Sequence, residues 1–465
     1  MDSYRTALQQ TLDHALNYLE TLDSAPVAPR ATLGELRKRF ALPLPEHSLP
    51  AGQVISDLVR DADGGVVGSA GGRFFGWVIG GSVPAALAAD WLTSTWDQNA
   101  ALFAAGPAEA VIEEVCGAWL KELLGLPATA SFALVTGCQM AHVTCLAAAR
   151  NSVLAQRGWD VERKGLTGAP PIRILTGDQK HGTIDRAARL LGLGLDAIIN
   201  LPVNDAGCLE PDVLAKALNG DEPTIVVLQA GDLNIGAFDP FETLIPLAHR
   251  HGAWVHIDGA FGLWASVGPE HSHLLKGVSA ADSWATDGHK WLNVPFDCGY
   301  AFVAHPDAHR ASTSYRASYL THDDNARDQM DWTPEWSRRG RAVATYAAIR
   351  QLGRSGITDL VERTCHHARS LVTRIGALPG AELVWKPQIN QGLVRFLDPK
   401  QGATVTDHDR RTDEVIESIL KSGEAFFGGT TWRGKRCMRV SVCNWLTDER
   451  DVDRAVAAVQ QALEQ

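Results

Sequence analysis

Short apolar runs alternating with helix-patterned stretches, from about Gly71 onward, constrain this chain more than any other feature. PIRILTG (171–177), TIVVLQAG (224–231), WVHIDGA (254–260) and YAFVA (300–304) read as short buried strands between helical patterns. That alternation implies an α/β domain with a mostly parallel sheet. Ligands of such sheets sit where connections leave the strand ends, so polar residues that follow apolar runs carry the functional interest. Gly231, Asp232, Asp258 and the turn from Asp287 to Lys290 all do so.

A chain of 465 residues exceeds what one growing core accommodates, so a large domain with a smaller one is expected. The first 60 or so residues read as helices joined by Pro-rich links, LDSAPVAPRATLGELRKRF and LPLPEHSLPAGQVISDLV, too thin to bury a core alone. After Trp336 come a long helix, RRGRAVATYAAIRQLG, strands such as AELVWK, GLVRFL and RCMRVSVCN, and a closing amphipathic helix. The expected division is an arm over 1–65, a large domain over 66–335 and a small α+β domain over 336–465.

Composition narrows the partners. The 43 basic and 54 acidic residues give a net charge of −11, and no run of Lys or Arg forms a nucleic-acid or lipid footprint. A small-molecule ligand fits that balance. The N-terminus is polar and helix-patterned rather than a signal peptide, and apolar stretches such as 77–92 are interrupted by Gly, Ser, Pro and Asp, so no membrane partner is expected. The eight cysteines show neither a CxxC pair nor a Cys/His cluster at metal spacing, which predicts reduced thiols in a cytoplasmic protein and no metal site.

Four segments carry the candidate chemistry. In DSWATDGHKWLNVPFDCGYAFV, Lys290 follows a short strand and a tight Asp-Gly turn; a surface lysine reaching out from a turn is the competing reading. In HIDGAFG, Asp258 ends a buried strand and needs a cationic partner, which a protonated pyridine nitrogen such as that of pyridoxal 5'-phosphate (PLP) would supply. An Asp capping the next turn is the alternative. TGCQMAHVTCLAAAR (136–150) starts a helix whose free amides suit a phosphate. DQKHGTIDRAARLLGLG (178–194) places His181 at a strand-to-helix junction, either flat against a planar ring as a proton-transfer group or as a helix cap.

These segments resemble the group II PLP-dependent decarboxylases, the family of glutamate, cysteine-sulfinate and aromatic amino-acid decarboxylases. DGHKWLNVPFDCG is similar to the family's lysine motif and HIDGAFG to its pyridinium-aspartate motif. AGDLNIGAFDPF (230–241) resembles the intervening strand and turn, and GRFFGWVIGGSVPAALAADWLTSTWDQNAALF the substrate-side segment. The likenesses run in order over roughly 70–450. The resemblance implies the fold type I, aspartate-aminotransferase-like architecture: a large α/β domain with a mostly parallel seven-stranded sheet, a small C-terminal domain, and an arm wrapped on a partner in an obligate homodimer. It implies that Lys290 forms a Schiff base with PLP, Asp258 meets the ring nitrogen, His181 stacks on the ring and Ala260 packs on its other face. His289, Cys138 and Gln139 would hold the phosphate. Read from the residues themselves, Phe74, Phe75 and Trp77 either line the substrate side of the cleft or belong to the core, His322 is a further substrate-side candidate, and Arg439, in a strand between Met438 and Val440, either receives a substrate carboxylate or pairs with a local acid.

The implied reaction converts an L-amino acid to an amine and CO2. Three departures bear on it. Gly137-Cys138-Gln139-Met140 stands where many members carry hydroxyl residues, which puts more phosphate binding on backbone amides. Asp232 stands where several relatives have Thr and would repel phosphate unless it faces elsewhere. YLTHDDNARDQMDWTPEWSRR (319–339) resembles the mobile loop whose tyrosine protonates the carbanion, yet no tyrosine lies between Leu320 and Arg339. Either His322 or His181 delivers that proton, or the carbanion meets oxygen and yields an aldehyde. An aminotransferase or carbon–carbon lyase on the same fold, and a noncatalytic binding or dimerisation module, are the remaining readings. ADWLTST leans toward the glutamate and cysteine-sulfinate branch, and acidic, aromatic and aliphatic substrates all stay open.

Overall fold

The structure, a computed structural model, describes residues 2–315 and 326–465. The chain opens with helices α1 (Asp2–Thr21), α2 (Leu33–Phe40), α3 (Ala51–Ala62), α4 (Pro84–Trp96) and α5 (Pro107–Leu123). Strand and helix then alternate: β1 (Ser131–Val135), α6 (Cys138–Ala155), α7 (Val161–Lys164), β2 (Arg173–Gly177), α8 (Gly182–Leu190), β3 (Ile198–Leu201), α9 (Pro211–Ala217), β4 (Thr224–Gln229), α10 (Phe241–Arg250) and β5 (Trp254–Asp258). Next come β6 (Ser283–Asp287), β7 (Gly299–Val303), α11 (Pro306–Thr313) and α12 (Ala342–Gly376). The chain closes with β8 (Ala381–Trp385), β9 (Gln391–Phe396), α13 (Val405–Ser422), β10 (Gly428–Trp432), β11 (Lys435–Ser441) and α14 (Glu449–Glu464).

Two compact units result. One comprises Met1–Ile79, Ser370–Val384 and Leu393–Gln465; the other comprises Gly80–Arg369 and Trp385–Gly392. The second unit holds a seven-stranded sheet in the order β1-β7-β6-β5-β4-β2-β3, in which β7 runs antiparallel to both neighbours and the other pairings are parallel. This is the α/β architecture that the apolar runs imply. Strands β1, β4, β5, β6 and β7 are buried along their whole length, as two-sided cover requires. The edge strand β3 buries Leu201 alone. The first unit carries a four-stranded sheet, β10-β11-β9-β8, with α13 and α14, giving the small α+β element.

Helix α6 covers the face of the sheet from which the site is built. Its Ala-rich sequence favours helix, and Ala141, Cys145, Ala148 and Ala149 are wholly buried in one cluster with Val135, Val227, Ala285 and Ala301. The close approach has a glycine at its tightest point: a Cβ on Gly299 in β7 would stand 2.4 Å from Gly137 Cα, at the entry to α6. Three fully buried tryptophans of this unit each place the indole N–H on an acceptor: Trp264 on Asp287 O, Trp284 on Val278 O and Trp291 on Thr364 Oγ1. An unmatched buried donor would cost about 1–3 kcal/mol.

Candidate active site

The lysine turn is fixed from several sides. Strand β6 ends at Asp287, and the N–H groups of Gly288 and His289 both donate to Cys298 O at 3.0 and 3.2 Å. A Cβ on Gly288 would meet Tyr300 Oη at 2.2 Å, and one on Gly80 would meet Lys290 O at 2.0 Å. Asn293, in the left-handed region at φ 56°, accepts the Gly81 N–H at 2.8 Å and donates to Trp291 O. The turn therefore holds Lys290 by its backbone and leaves the amine to be placed by charge. Lys290 Nζ lies 3.0 Å from Asp287 Oδ2. Burial pulls the lysine's pKa down most, but Asp287, Cys138 and Asp258 together outweigh it, so the ammonium is held above its ordinary range.

Asp287 does more than pair with the lysine. Its Oδ1 accepts the Cys138 N–H at 2.6 Å, capping the start of α6, and lies 3.6 Å from His289 Nε2. His289 Nδ1 accepts the Cys298 N–H at 3.1 Å, so the neutral ring carries its proton on Nε2, toward Asp287. Burial holds His289 below its usual pKa, and Phe296 stacks on it at 4.3 Å. The amide at which the sequence places a phosphate oxygen thus has a carboxylate on it.

Asp258 ends β5 and is 95% buried at its side chain, beside Ala285 of β6 in register. Alternation along β5 puts Trp254, His256 and Asp258 on one face of the strand. Asp258 Oδ1 accepts the Ala260 N–H at 3.2 Å and lies 3.5 Å from His142 Nε2, one turn along α6 from Cys138. His142 Nδ1 meets His256 Nε2 at 2.9 Å, His256 Nδ1 meets Ser283 Oγ at 2.9 Å, and the Trp254 indole N–H donates to that hydroxyl at 2.9 Å. Burial by itself would raise the Asp258 pKa; His142, His181, Lys290 and His256 overcome it and hold the group below the ordinary carboxylate range. Burial lowers His142, and lowers His256 to about 3.

His181 is the N-cap of α8: its Nδ1 accepts the Thr183 N–H at 3.2 Å, leaving the Nε2–H of the neutral ring outward. The capping geometry and proximity to the buried acid coexist, since His181 acts electrostatically on both Asp258 and His142. Gln139 Nε2 donates to Thr183 O at 3.3 Å and so ties the starts of α6 and α8 together. Ala260 is half-buried, and its carbonyl accepts the Asp287 N–H. Asp232 turns into its own loop, accepting the N–H groups of Asn234, Ile235 and Ala237, which answers the question of where that charge faces.

The second unit thus gathers Lys290, Asp258, His181, His289, Cys138, Gln139 and Ala260. The substrate candidates are placed otherwise. Phe75 is wholly buried against Phe427, Trp77 is 56% exposed with its ring 5.2 Å from Phe426, and Arg439 is buried on β11, all within the first unit. His322 lies outside the described residues. His142, His256 and Ser283 were not among the sequence candidates, and Asp287 stood there only as the start of the lysine turn. The helical spacing of His142 from Cys138 and the strand spacing of His256 from Asp258 were the available signals.

The donor set suits PLP: an amine for the aldehyde, a buried anion for the ring nitrogen, and a helix start with an imidazole N–H for the phosphate. Comparison with known proteins agrees. The pattern described as the pyridoxal-dependent decarboxylase conserved domain matches residues 34–397. The chain is 26% identical to 4-hydroxyphenylacetaldehyde synthase of Rhodiola rosea, over 98% of this chain and 94% of that one. It is 27% identical to tryptophan decarboxylase 1 of Oryza sativa subsp. japonica, over 98% and 92%. Mouse histidine decarboxylase is 25% identical, over 99% and 70%. In fold, the chain is similar to the crystal structure of Oryza sativa TDC with PLP and tryptamine, at a TM-score of 0.93 and 24% identity, covering 100% of this chain and 98% of that one. The chain belongs to the pyridoxal-dependent decarboxylase family, with pyridoxal 5'-phosphate as cofactor and loss of CO2 from an amino acid as its reaction.

Proposed function

We propose that Lys290, Asp258 and His181 are the residues through which this chain turns an L-amino acid into its amine and CO2. The observation that carries the reading is the placement of Lys290 and Asp258 just beyond and at the ends of the adjacent strands β6 and β5, in one buried electrostatic cluster. When bound, PLP supplies an electron-accepting ring for the pair left by the breaking Cα–carboxylate bond. Lys290 would hold the aldehyde carbon and Asp258 would keep the ring nitrogen protonated. His181 and Ala260 would flank the ring, and Cys138, Gln139 and His289 would take the phosphate. Phosphate oxygen and the Asp287 carboxylate would compete for the Cys138 N–H, so loading requires Asp287 to yield that contact. Arg439, Phe75, Trp77 and His322 are proposed on the substrate side, Arg439 because a guanidinium suits a carboxylate.

A second reading is favoured by the absence of tyrosine between Leu320 and Arg339. Here amino acid, O2 and water give aldehyde, CO2, ammonia and hydrogen peroxide. The test is one incubation of the PLP-loaded protein with a panel of amino acids, following CO2, amine, aldehyde and peroxide together. Aromatic amino acids come first in the panel, because relatives are named for tryptophan, histidine and 4-hydroxyphenylacetaldehyde. Amine without peroxide supports the first reading, and equimolar aldehyde and peroxide the second. Keto-acid-dependent turnover without CO2 would overturn both.

We also propose a homodimer in which residues 1–65 form an arm on the partner, with 66–335 and 336–465 as large and small domains. Helices α2 and α3 have no buried residue, and Leu33, Phe40, Val54 and Leu58 are exposed. Covering such surface drives association. Sedimentation of the full chain as a monomer at micromolar concentration would refute it. A cytoplasmic setting is proposed on the eight free thiols; among the described residues no helix is long and apolar enough to cross a membrane.

A further inference from the structure

The contacts behind Asp258 form a continuous line of polar groups whose two ends are chemically fixed. At one end, the Trp254 indole N–H is a donor and nothing else. At the other, the ionised Asp258 carboxylate is an acceptor and nothing else. Between them lie Ser283 Oγ, both nitrogens of His256 and both of His142, at successive separations of 2.9, 2.9, 2.9 and 3.5 Å. All five side chains are at least nine-tenths buried. Two neutral imidazoles in such a line admit two proton orders, and electrostatics favours the one that turns an N–H rather than a lone pair toward the carboxylate. Ser283 accepts from Trp254 and donates to His256 Nδ1, His256 Nε2–H donates to His142 Nδ1, and His142 Nε2–H points at Asp258 Oδ1. The reverse order, with the Cys138 thiol 3.5 Å away donating to His142 Nε2, would aim that nitrogen's lone pair at a buried carboxylate.

We infer that His142 is a positioning residue for Asp258, and that the relay Trp254–Ser283–His256–His142 sets how strongly that carboxylate holds the ring-nitrogen proton of the bound cofactor. The inference rests on the assignment of Asp258 to the ring nitrogen. The physical reason is direct. An N–H dipole turned toward a carboxylate 3.5 Å away lowers its basicity, so less of the shared proton resides on the acid and more on the ring. Partners behind a directly contacting group commonly alter ligand affinity by about ten- to a hundredfold when removed, as outer partners of metal ligands do. The other charged and titratable groups facing His142 and Asp258 are Asp287 at the end of β6, Lys290 in the following turn, His181 at the start of α8 and Cys138 on α6. None of them continues the line behind His142 that His256, Ser283 and Trp254 form.

Two measurements test the inference. Neutron diffraction from the deuterated, cofactor-free wild-type protein is expected to show deuterium on Nε2 of both His142 and His256 and on neither Nδ1; the opposite tautomers would overturn the relay. For the role, His142→Leu and His142→Gln are compared, since a glutamine amide reaches the position of imidazole Nε2 and still donates. His142→Leu is expected to bind PLP about tenfold more weakly and to move the 15N resonance of ring-labelled PLP toward the unprotonated pyridine value. His142→Gln is expected to stay near wild type in both. A purely packing role predicts the reverse ranking, with leucine tolerated and glutamine disruptive, and that result would refute the inference. An unprotonated ring nitrogen in wild-type holoprotein would instead refute the assignment of Asp258, while the neutron result still decides the relay by itself.

Discussion

Asp287→Asn is expected to speed uptake of PLP by the cofactor-free protein, although it removes the partner of Lys290, the lysine proposed to hold the cofactor. An amine must be neutral to attack an aldehyde, and Asp287, 3.0 Å away and 98% buried at its side chain, holds Lys290 protonated. At an effective dielectric constant of about 20, two unit charges at that distance attract by about 5.5 kcal/mol. Lys290 is 22% exposed at its side chain, so solvent weakens the attraction. A third of it, about 1.8 kcal/mol, raises the neutral fraction roughly twentyfold. Asparagine keeps an oxygen for the Cys138 N–H, so the start of α6 retains its cap. The assay is stopped-flow absorbance after mixing cofactor-free protein with PLP, and separately with pyridoxal, at pH 7.5. Faster uptake of both aldehydes identifies the lysine proton as the barrier. Faster uptake of PLP alone identifies repulsion between Asp287 and the phosphate. Wild-type rates with both would refute the reasoning.

The other predictions concern the site and its scaffold. Lys290→Ala should lose the visible absorbance of the bound cofactor and all turnover; wild-type turnover would remove Lys290 from the mechanism. Asp258→Ala should retain part of its PLP and lose most turnover, and full activity in that variant would exclude its role at the ring. Asp282 pairs with His249 Nε2 at 2.9 Å and His305 Nε2 at 2.8 Å, raising both histidines while its own pKa, pushed up by burial, is brought lower by these partners. The histidines' stabilisation is complete below about pH 6.5 and is lost as pH rises through their raised values; the aspartate's is present above about pH 4 and is lost as pH falls through its lowered value. Asp282→Asn should therefore lower the melting temperature most between about pH 4 and 6.5 and least above pH 8, and an equal loss at every pH would refute the pairing.

The fold and the candidate residues Lys290 and Asp258 could be read from the chain because their causes are local. A run such as TIVVLQAG must be buried on both faces wherever it lies, and a turn such as Asp287-Gly288-His289-Lys290 fixes its own backbone. The order of motifs around Lys290 and Asp258 therefore carried the family and the cofactor. Strands β3 and β10 were harder to see: IINL is short and exposed at a sheet edge, and GGTTW has little apolar character, so pairing with β2 and β11 rather than composition makes them strands. Asp232 showed the same limit, since its charge is answered by three amides of its own loop.

What the sequence determined by itself was the family, and it singled out a lysine, an aspartate and a helix start as candidates for what a pyridoxal enzyme needs. What only the tertiary structure decided was their electrostatic setting. His142 and His256 stand 114 residues apart and meet at 2.9 Å because α6 lies across β5, and Asp287 reaches back 149 residues to cap that helix while holding Lys290. Hydrogen bonds and ion pairs act over a few ångströms of space without regard to distance along the chain. The groups that tune Lys290 and Asp258 became visible once the sheet and its covering helix brought them together.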